Sequence, residues 1–348
     1  MRTLRDFDFK GKRVLVRCDF NVPLDENGNV LDDFRIKQTI PTIEYLIEKG
    51  GKLLLMSHLD DPGGKVVEEL RLTPIQDKLM EYLNLSVTKA PDCCGKEVEK
   101  WIREMEPGEI LLLENLRFQK GEGENDDNFA QQLAKLGDIY INDAFSVCHR
   151  AHASIVGIPK YLPSGMGLLL EKEIQTLTDF LEKPEKPLVG IIGGKKVETK
   201  SKVIDKISEK ADWILIGGLI QKEIEEKGVV LKYPQEIVKP IDKMDTFDIG
   251  PKTIELFKEK IAQAQTIFWS GPLGKIEEEE FQNGSREIAK AIIESGSFSI
   301  VGGGETVEFI NKMGLTEKFS HVSTGGGAML NFIADGKLVG IEALRSAS

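Results

Sequence analysis

The sequence predicts an α/β protein with two three-layer domains, each built on a parallel sheet with helices on both faces. Short apolar runs alternate with amphipathic stretches along the whole chain. Runs that are apolar at nearly every position are typical of strands buried on both faces, which occur in parallel sheets. A length of 348 residues suggests about two domains. One large sheet is the alternative, and the length makes it the less favoured one.

The predicted strands fall into two sets. Those of the first half are Lys12-Val16, Lys52-Met56, Glu109-Leu113 and Asp138-Ile141. Those of the second half are Leu188-Ile192, Trp213-Ile216, Thr266-Trp269, Ser299-Val301 and His321-Val322. Helices are predicted between them at Lys37-Lys49, Pro74-Leu83, Asn125-Leu136, Val197-Glu209, Pro251-Ile261 and Glu278-Glu294.

A domain boundary is indicated where a helical stretch, Leu168-Leu181, is followed by Glu182-Lys-Pro-Glu-Lys-Pro187. Prolines and charges at that point favour a break before a new first strand. We therefore expect a first domain over residues 1–165, a hinge helix and linker over 166–185, and a second domain over 186–336.

The charge and the cysteines exclude several classes of function. A net charge of -11 disfavours nucleic acid and anionic membranes as partners. No apolar run reaches the roughly 18 residues of a membrane span, and Met1–Lys10 lacks the apolar core of a signal peptide. The cysteines show no zinc-type spacing, and adjacent Cys93 and Cys94 do not suit a structural disulfide. We expect a cytoplasmic protein.

Polar side chains follow the strands of the first half, at the sheet edge where α/β proteins bind ligands. They are Arg17, Asp19, Asn21, Ser57, His58, Glu114, Asn115, Arg117, Asn142, Asp143, His149, Arg150 and His152, with Arg35 expected just ahead of the next helix. Arginines and histidines gathered at one edge repel each other unless an anion binds there, and guanidinium groups match phosphate or carboxylate. The sequence therefore predicts a site for a small anion.

Two other interpretations of these residues remain open. Each arginine could instead pair with a nearby acid, for which Asp19, Glu114 and Asp143 are available. Cys148, His149 and His152 could bind a metal, although no fourth ligand is evident.

Glycines follow the strands of the second half in the same way. They lie in Gly193-Gly194, Gly217-Gly218, Gly271, Gly274, Gly302-Gly303-Gly304 and Gly325-Gly326-Gly327. Glycine lets the backbone approach a ligand closely, and free amides at a helix start bind phosphate. Neither the Walker P-loop pattern nor the dinucleotide Gly-x-Gly-x-x-Gly pattern is present.

Three charged residues stand beside these glycines. Lys196 and Lys200 lie four apart on one helix face, which suits polyphosphate, although Lys195 and Lys202 also permit a solvated lysine face. Glu305 follows three glycines at a predicted helix start, where it could cap the helix or bind Mg2+.

The chain resembles the phosphoglycerate kinase family over nearly its whole length. The motifs that carry the resemblance are Val16-Arg-Cys-Asp-Phe-Asn-Val-Pro23, Ser57-His-Leu59, Leu112-Leu-Glu-Asn-Leu-Arg-Phe118, Asn142-Asp-Ala-Phe145, His149-Arg-Ala-His-Ala-Ser154, Glu171-Lys-Glu173, Asp248-Ile-Gly-Pro-Lys-Thr253, Trp269-Ser-Gly-Pro-Leu-Gly274 and Ser320-His-Val-Ser-Thr-Gly-Gly-Gly327. The resemblance implies two Rossmann-like domains, one for 3-phosphoglycerate and one for Mg-ADP or Mg-ATP, with hinge closure during turnover. It also implies a monomer whose C-terminal segment, 337–348, packs on the first domain.

The resemblance also assigns roles to residues of this sequence. The phosphoglycerate pocket would be formed by Asp19, Asn21, Arg35, His58, Arg117 and Arg150. The nucleotide and its phosphates would be bound by Gly193, Gly194, Lys200, Gly217, Gly218, Glu277, Gly303, Gly304, Glu305 and Thr306. Arg35 and Lys196 would be the catalytic residues flanking the transferred phosphoryl group, and Glu305 would face the Mg2+ ion.

The chain departs from the family pattern at four places. Asp60-Asp61-Pro62 stands where the family has Gly-Arg-Pro, so Asp61 replaces an arginine that contacts the substrate phosphate. Glu305 replaces the metal-binding aspartate, and Ser270 follows Trp269 where asparagine is usual. Only about 30 residues separate Gly218 from Asp248, a stretch that is longer in the family, and Gly217-Gly-Leu-Ile lacks a third glycine and a methionine.

Three hypotheses of function follow. The first is a working phosphoglycerate kinase with a trimmed C-terminal domain. The second is a relative that phosphorylates another small carboxylate, one without a phosphate near Asp61. The third is a ligand-binding or regulatory protein with little catalysis. Retention of Arg35, Arg117, Lys196 and Lys200 favours an enzyme.

Overall fold

The computed structural model describes residues 1–244 and 247–347 and divides the chain into two compact units. The first unit comprises Met1–Ile174 together with the C-terminal residues from Lys337 onward. The second comprises Gln175–Gly336. The dividing point therefore lies within one long helix, Leu168–Glu182.

The first unit contains a sheet of six parallel strands. They are β1 (Arg13–Arg17), β2 (Lys52–Met56), β3 (Val87–Lys89), β4 (Ile110–Leu112), β5 (Ile139–Asn142) and β6 (Ser164–Met166). Their order across the sheet is β3-β4-β2-β1-β5-β6. The central strand β1 is buried from Val14 to Arg17, as expected for a strand with helices on both faces.

Helices cover this first sheet. They are α1 (Phe34–Glu48), α2 (Thr73–Leu83), α3 (Lys96–Glu104), α4 (Lys120–Gly123), α5 (Asp127–Ala134), α6 (Leu168–Glu182) and the C-terminal α13 (Val339–Ser346). The apolar stripe of α1, which includes Ile36, Ile43 and Leu46, packs into the same core as β1 and β2. Gly340 of α13 donates its amide to the carbonyl of Cys148 at 2.9 Å, which ties that helix to the first unit.

The second unit contains another sheet of six parallel strands and a short antiparallel pair. The strands are β7 (Leu188–Ile192), β8 (Trp213–Ile216), β9 (Ile237–Val238), β10 (Lys243–Met244), β11 (Asp248–Ile249), β12 (Thr266–Ser270), β13 (Phe298–Gly302) and β14 (His321–Val322). The order of the large sheet is β14-β13-β12-β7-β8-β9, and β10 pairs with β11. The helices are α7 (Val197–Ser208), α8 (Gly218–Glu226), α9 (Pro251–Ile261), α10 (Asn283–Ser295), α11 (Gly304–Lys312) and α12 (Gly326–Asp335).

Both sheets place their first strand in the middle, with later strands added on either side. β1 lies between β2 and β5, and β7 lies between β8 and β12. In such sheets the connections diverge at the first strand and leave a crevice at its carboxyl end, where ligands bind. Ligands are therefore expected beside the residues that follow β1, β5, β7 and β12.

The predicted fold class is confirmed, and the alternative of a single sheet is wrong. Sequence patterns missed β3, β6, β9, β10 and β11, which have only two or three residues each. Arg35 is the second residue of α1 and does not precede it, so that prediction was wrong. Within the described residues, no helix has the length and apolar character needed to cross a bilayer.

Candidate functional site

A buried ion pair lies at the carboxyl end of β1. Arg17 and Glu122 are both fully buried, and Arg17 Nη2 lies 3.8 Å from Glu122 Oε1. Arg17 Nε donates to Ser154 Oγ at 2.8 Å. Ser154 in turn donates its hydroxyl and its amide to Glu122, at 2.6 and 2.9 Å. The hydrogen bonds offset the desolvation of both charges and hold the guanidinium in one position.

Arg17 also fixes the protonation of His58. Arg17 Nη2 lies 3.2 Å from His58 Nδ1, and only the arginine can donate in that contact. Burial holds the pKa of His58 well below its usual value, and the charge of Arg17 adds to the effect. The ring is therefore neutral with its proton on Nε2, which makes Nε2 a hydrogen-bond donor.

Asp19 and Arg35 form a second pair next to the first. Arg35 Nη1 lies 3.1 Å from Asp19 Oδ2 and donates to the Asn21 carbonyl at 2.9 Å. Burial opposes ionisation of Asp19, but the charge of Arg35 and a hydrogen bond from Ser146 bring its pKa to about 2. Asp19 is thus a carboxylate that orients Arg35. The interpretation of arginines paired with nearby acids therefore applies to Arg35, while Arg17 uses Glu122, which sequence analysis did not consider.

Arg117 and Arg150 differ from these two arginines. Neither forms an ion pair within 4.0 Å in the part of the chain that the structure describes. Burial lowers the pKa of Arg117, and the nearby charges of Arg150 and Arg17 lower it further. Arg117 Nη1 donates to the carbonyl of Asp60 at 2.7 Å. Two mutually repelling guanidiniums without acidic partners favour an anion at this place.

The histidines beside them carry little charge. Burial and the charges of Arg117, Arg17 and Arg150 lower the pKa of His152 to about 4, and burial and Arg150 also lower that of His149. The positive charge of the cluster therefore comes from arginines. Burial raises the pKa of Cys148 to about 12, and the described residues contain no group of three or more metal-ligating side chains. The alternative of a Cys148-His149-His152 metal site gains no support.

The glycine turns of the second unit lie too close together for side chains to fit between them. A β-carbon at Gly193 would collide with the carbonyl oxygen of Pro272, and one at Gly271 would collide with the carbonyl oxygen of Gly193. A β-carbon at Gly217 would lie 3.2 Å from the Gly193 α-carbon. The turns after β7, β8 and β12 thus lie directly against one another.

Lys200 and Glu305 meet at these turns. A β-carbon at Gly194 would lie 2.7 Å from Lys200 Nζ and 3.7 Å from Glu305 Oε2. The Lys200 ammonium donates to the Gly193 carbonyl and is mostly buried. Burial lowers its pKa to about 8, while the charges of Glu305 and Glu223 act in the opposite direction. Near neutral pH Lys200 is therefore a desolvated cation beside closely packed glycine main chain.

The first turn of α11 contacts the glycine turn that follows β12. Gly271 donates its amide to Thr306 Oγ1 at 2.8 Å, and Gly303 has a φ of 102°, which favours glycine. A β-carbon at Gly326 would lie 3.5 Å from the Gly304 amide, so the glycines at the start of α12 also lie close to the start of α11. Around Gly218 and Gly304, which begin α8 and α11, nothing lies within 4 Å of a β-carbon position. Gly304 is exposed, so the start of α11 is accessible to a ligand, whereas Gly218 is buried.

Two predicted residues have distinctive positions. Lys196 directly precedes α7 and has a φ of 71°, an uncommon conformation for a lysine and one that clusters at functional sites. Glu277 is exposed in the loop after β12, and its charge acts on Lys275. None of the contacts between glycine turns described above involves Glu277.

Comparisons with known proteins point to one family over nearly the whole chain. The phosphoglycerate kinase family model matches residues 4–230 and 222–337. The phosphoglycerate kinase of Dictyoglomus turgidum is 44% identical over 388 residues, which covers 98% of both chains, and that of Moorella thermoacetica is 43% identical with the same coverage.

Solved structures agree with these sequence matches. The Pyrococcus horikoshii phosphoglycerate kinase covers 100% of this chain and 99% of its own, with 32% identity and a TM-score of 0.88. The Coxiella burnetii phosphoglycerate kinase covers 99% of both chains, with 33% identity and a TM-score of 0.81. This chain belongs to the phosphoglycerate kinase family.

Proposed function

We propose that this protein transfers a phosphoryl group between 1,3-bisphosphoglycerate and ADP, and in reverse between ATP and 3-phosphoglycerate. The observation that carries the proposal is the pair of half-buried Arg117 and exposed Arg150, which has excess positive charge at the carboxyl ends of the first sheet. A small dianion supplies the missing counter-charge. Asp19, Asn21, Arg35 and His58 lie at the same edge and complete the proposed pocket.

The chemistry needs no general base. The substrate carboxylate has a reference pKa near 4, so it is ionised at neutral pH and can attack the terminal phosphoryl group directly. What the protein supplies is alignment and positive charge around the transferred group. We assign these tasks to Arg35, which Asp19 orients, and to Lys196, whose left-handed backbone sets it at the start of α7.

The nucleotide phosphates are proposed to bind at the glycine turns of the second unit. The exposed start of α11 at Gly304 and the buried ammonium of Lys200 suit a polyphosphate. Mg2+ usually takes one or two carboxylates together with substrate phosphates and water. Glu305 fits this requirement, because its carboxylate is exposed at the start of α11 and approaches Gly194. When bound, the metal would neutralise phosphate charge.

Other expectations remain part of this proposal. We propose that the protein acts as a cytoplasmic monomer on small molecules, without nucleic acid or membrane partners. We also propose that segment 166–185 serves as the hinge and that Glu277 lines the nucleotide.

The test is a coupled assay with 3-phosphoglycerate, ATP and Mg2+. We expect turnover by the wild-type protein and a kcat at least about 100-fold lower in Lys196→Ala, as found when one group that stabilises a transition state is removed. Lys202→Ala is the matched control, since Lys202 is exposed on the same helix, and we expect it to keep wild-type rates. Absence of wild-type turnover would contradict the function, and equal rates in Lys196→Ala would remove Lys196 from its role.

Asp61 supports a second candidate, a kinase for a small carboxylate without a distal phosphate. Its negative charge acts on Arg117 and so opposes a bound phosphate. Whichever acid is the natural substrate, we expect Asp61→Arg to lower the KM for 3-phosphoglycerate by about tenfold, because a repulsion becomes an attraction.

The control for that substitution is Asp60→Asn, which removes the neighbouring charge. Asparagine tolerates the left-handed backbone of residue 60, where φ is 52°. We expect its KM to stay within twofold of wild type. An unchanged or higher KM in Asp61→Arg would mean that Asp61 does not face the bound phosphate.

A further inference from the structure

A carboxylate from the neighbouring helix occupies the start of α7. Glu223 lies on α8, and its Oε2 accepts a hydrogen bond from the amide of Val197 at 2.8 Å. Val197 is the first residue of α7, so this amide has no partner within its own helix. The side chain of Glu223 is 22% exposed, which leaves it accessible to solvent and to a ligand.

Cations surround this carboxylate. Lys227 Nζ lies 3.6 Å from Glu223 Oε2 and also contacts Glu198 of α7 at 2.5 Å. The charge of Glu223 acts on Lys200, as does that of Glu305. Glu223 thus presents negative charge to the start of α7 and to Lys200, the lysine to which the nucleotide phosphates are assigned above.

The helix that carries Glu223 lies where the match to the family model is divided into two segments. The two segments of the family match overlap at residues 222–230. The alignment with the Dictyoglomus turgidum relative has 388 positions, whereas this chain has 348 residues, so at least 40 positions lack a residue here. The chain runs from the end of α8 at Glu226 to β9 at Ile237 through a short connection.

We propose that Glu223 is a specificity-determining residue that competes with nucleotide phosphates for the start of α7. The inference rests on the proposed function, which places polyphosphate at Lys200 of α7, and adds that the phosphates also reach the first amide of this helix. In the free protein the carboxylate satisfies the Val197 amide and offsets the charge of Lys200. A bound polyphosphate has to displace Glu223 or lie beside a like charge, and either requirement weakens its binding.

The test measures dissociation constants by calorimetry for Mg-ADP and for inorganic tripolyphosphate. We expect Glu223→Gln to bind both about tenfold more tightly than wild type, because like-charge repulsion is removed. Glu223→Ala, which also frees the Val197 amide, should bind both at least as tightly as Glu223→Gln. Glu226→Gln is the matched control, since Glu226 is on the same helix and contacts only Lys222 among its ion pairs in the described chain, at 3.7 Å.

Each outcome decides the inference. Unchanged or weaker binding in both Glu223 variants, or an equal gain in Glu226→Gln, would overturn it. A gain for Mg-ADP without a gain for tripolyphosphate would also overturn it, because the effect would then lie at the nucleoside. The coupled assay separates the two proposals: wild-type turnover with unchanged Glu223 variants overturns this inference alone, whereas absent turnover overturns the proposed function.

Discussion

Replacing Glu122 with alanine is expected to lower the free energy of unfolding of the first unit by about 3–5 kcal/mol, the usual cost of leaving one member of a buried ion pair alone. Arg17 would keep its charge in a fully buried position with its acidic partner removed. Ser154 would also lose the acceptor for its hydroxyl and its amide. The measurement is a urea titration that follows the unfolding of the first unit.

Glu124→Ala is the control for this substitution. Glu124 is two residues away and forms an exposed pair with Lys120 at 2.8 Å, for which a change below about 1 kcal/mol is expected. Equal effects of the two substitutions would show that Glu122 does not hold Arg17 in place.

Replacing Lys200 with methionine is expected to weaken nucleotide binding by about 100-fold, a typical loss for a desolvated charge-assisted contact. Methionine fills a similar volume, so the surrounding glycine turns should keep their packing. Titration calorimetry with Mg-ADP measures the effect. Lys202→Met, on an exposed position of the same helix, should bind as wild type does.

The pH dependence of binding gives a second readout for Lys200. Burial lowers its pKa to about 8, so the free protein loses this positive charge as the pH rises through about 8. Wild-type affinity for Mg-ADP should therefore fall between pH 7 and pH 9.5, and Lys200→Met should lack this fall. The free protein should gain stability from this group as the pH rises from about 8 to the ordinary lysine pKa of about 10.4, because the fold favours the neutral amine. An affinity that is independent of pH in the wild type would contradict the role of Lys200.

Sequence patterns found the architecture because its signals are local. Continuous apolar strands such as β2 and β7 indicated parallel sheets, and both sheets are present. The glycines after β7, β12 and β13 were also informative, since close backbone approach excludes side chains at Gly193 and Gly271. The strands that escaped notice, such as β9, are too short to show a pattern.

The parts of the site that the sequence did not show depend on tertiary contacts. Glu122 lies in Lys120-Gly-Glu-Gly-Glu-Asn125, which has the composition of a solvated loop, yet its side chain is fully buried against Arg17. The left-handed conformation of Lys196 is unusual for its residue type. Glu223 looks like one charge among many on α8, and only its hydrogen bond to Val197 distinguishes it.

The central claim is that the arginines of the first unit bind an acid that carries its own phosphate. The most direct measurement compares kcat/KM for 3-phosphoglycerate and for glycerate, with ATP and Mg2+, while hydroxylamine traps the acyl phosphate as a hydroxamate. We expect 3-phosphoglycerate to be preferred by at least about 100-fold, because glycerate would leave Arg117 and Arg150 without a counter-charge. Equal values, or a preference for glycerate, would contradict the claim.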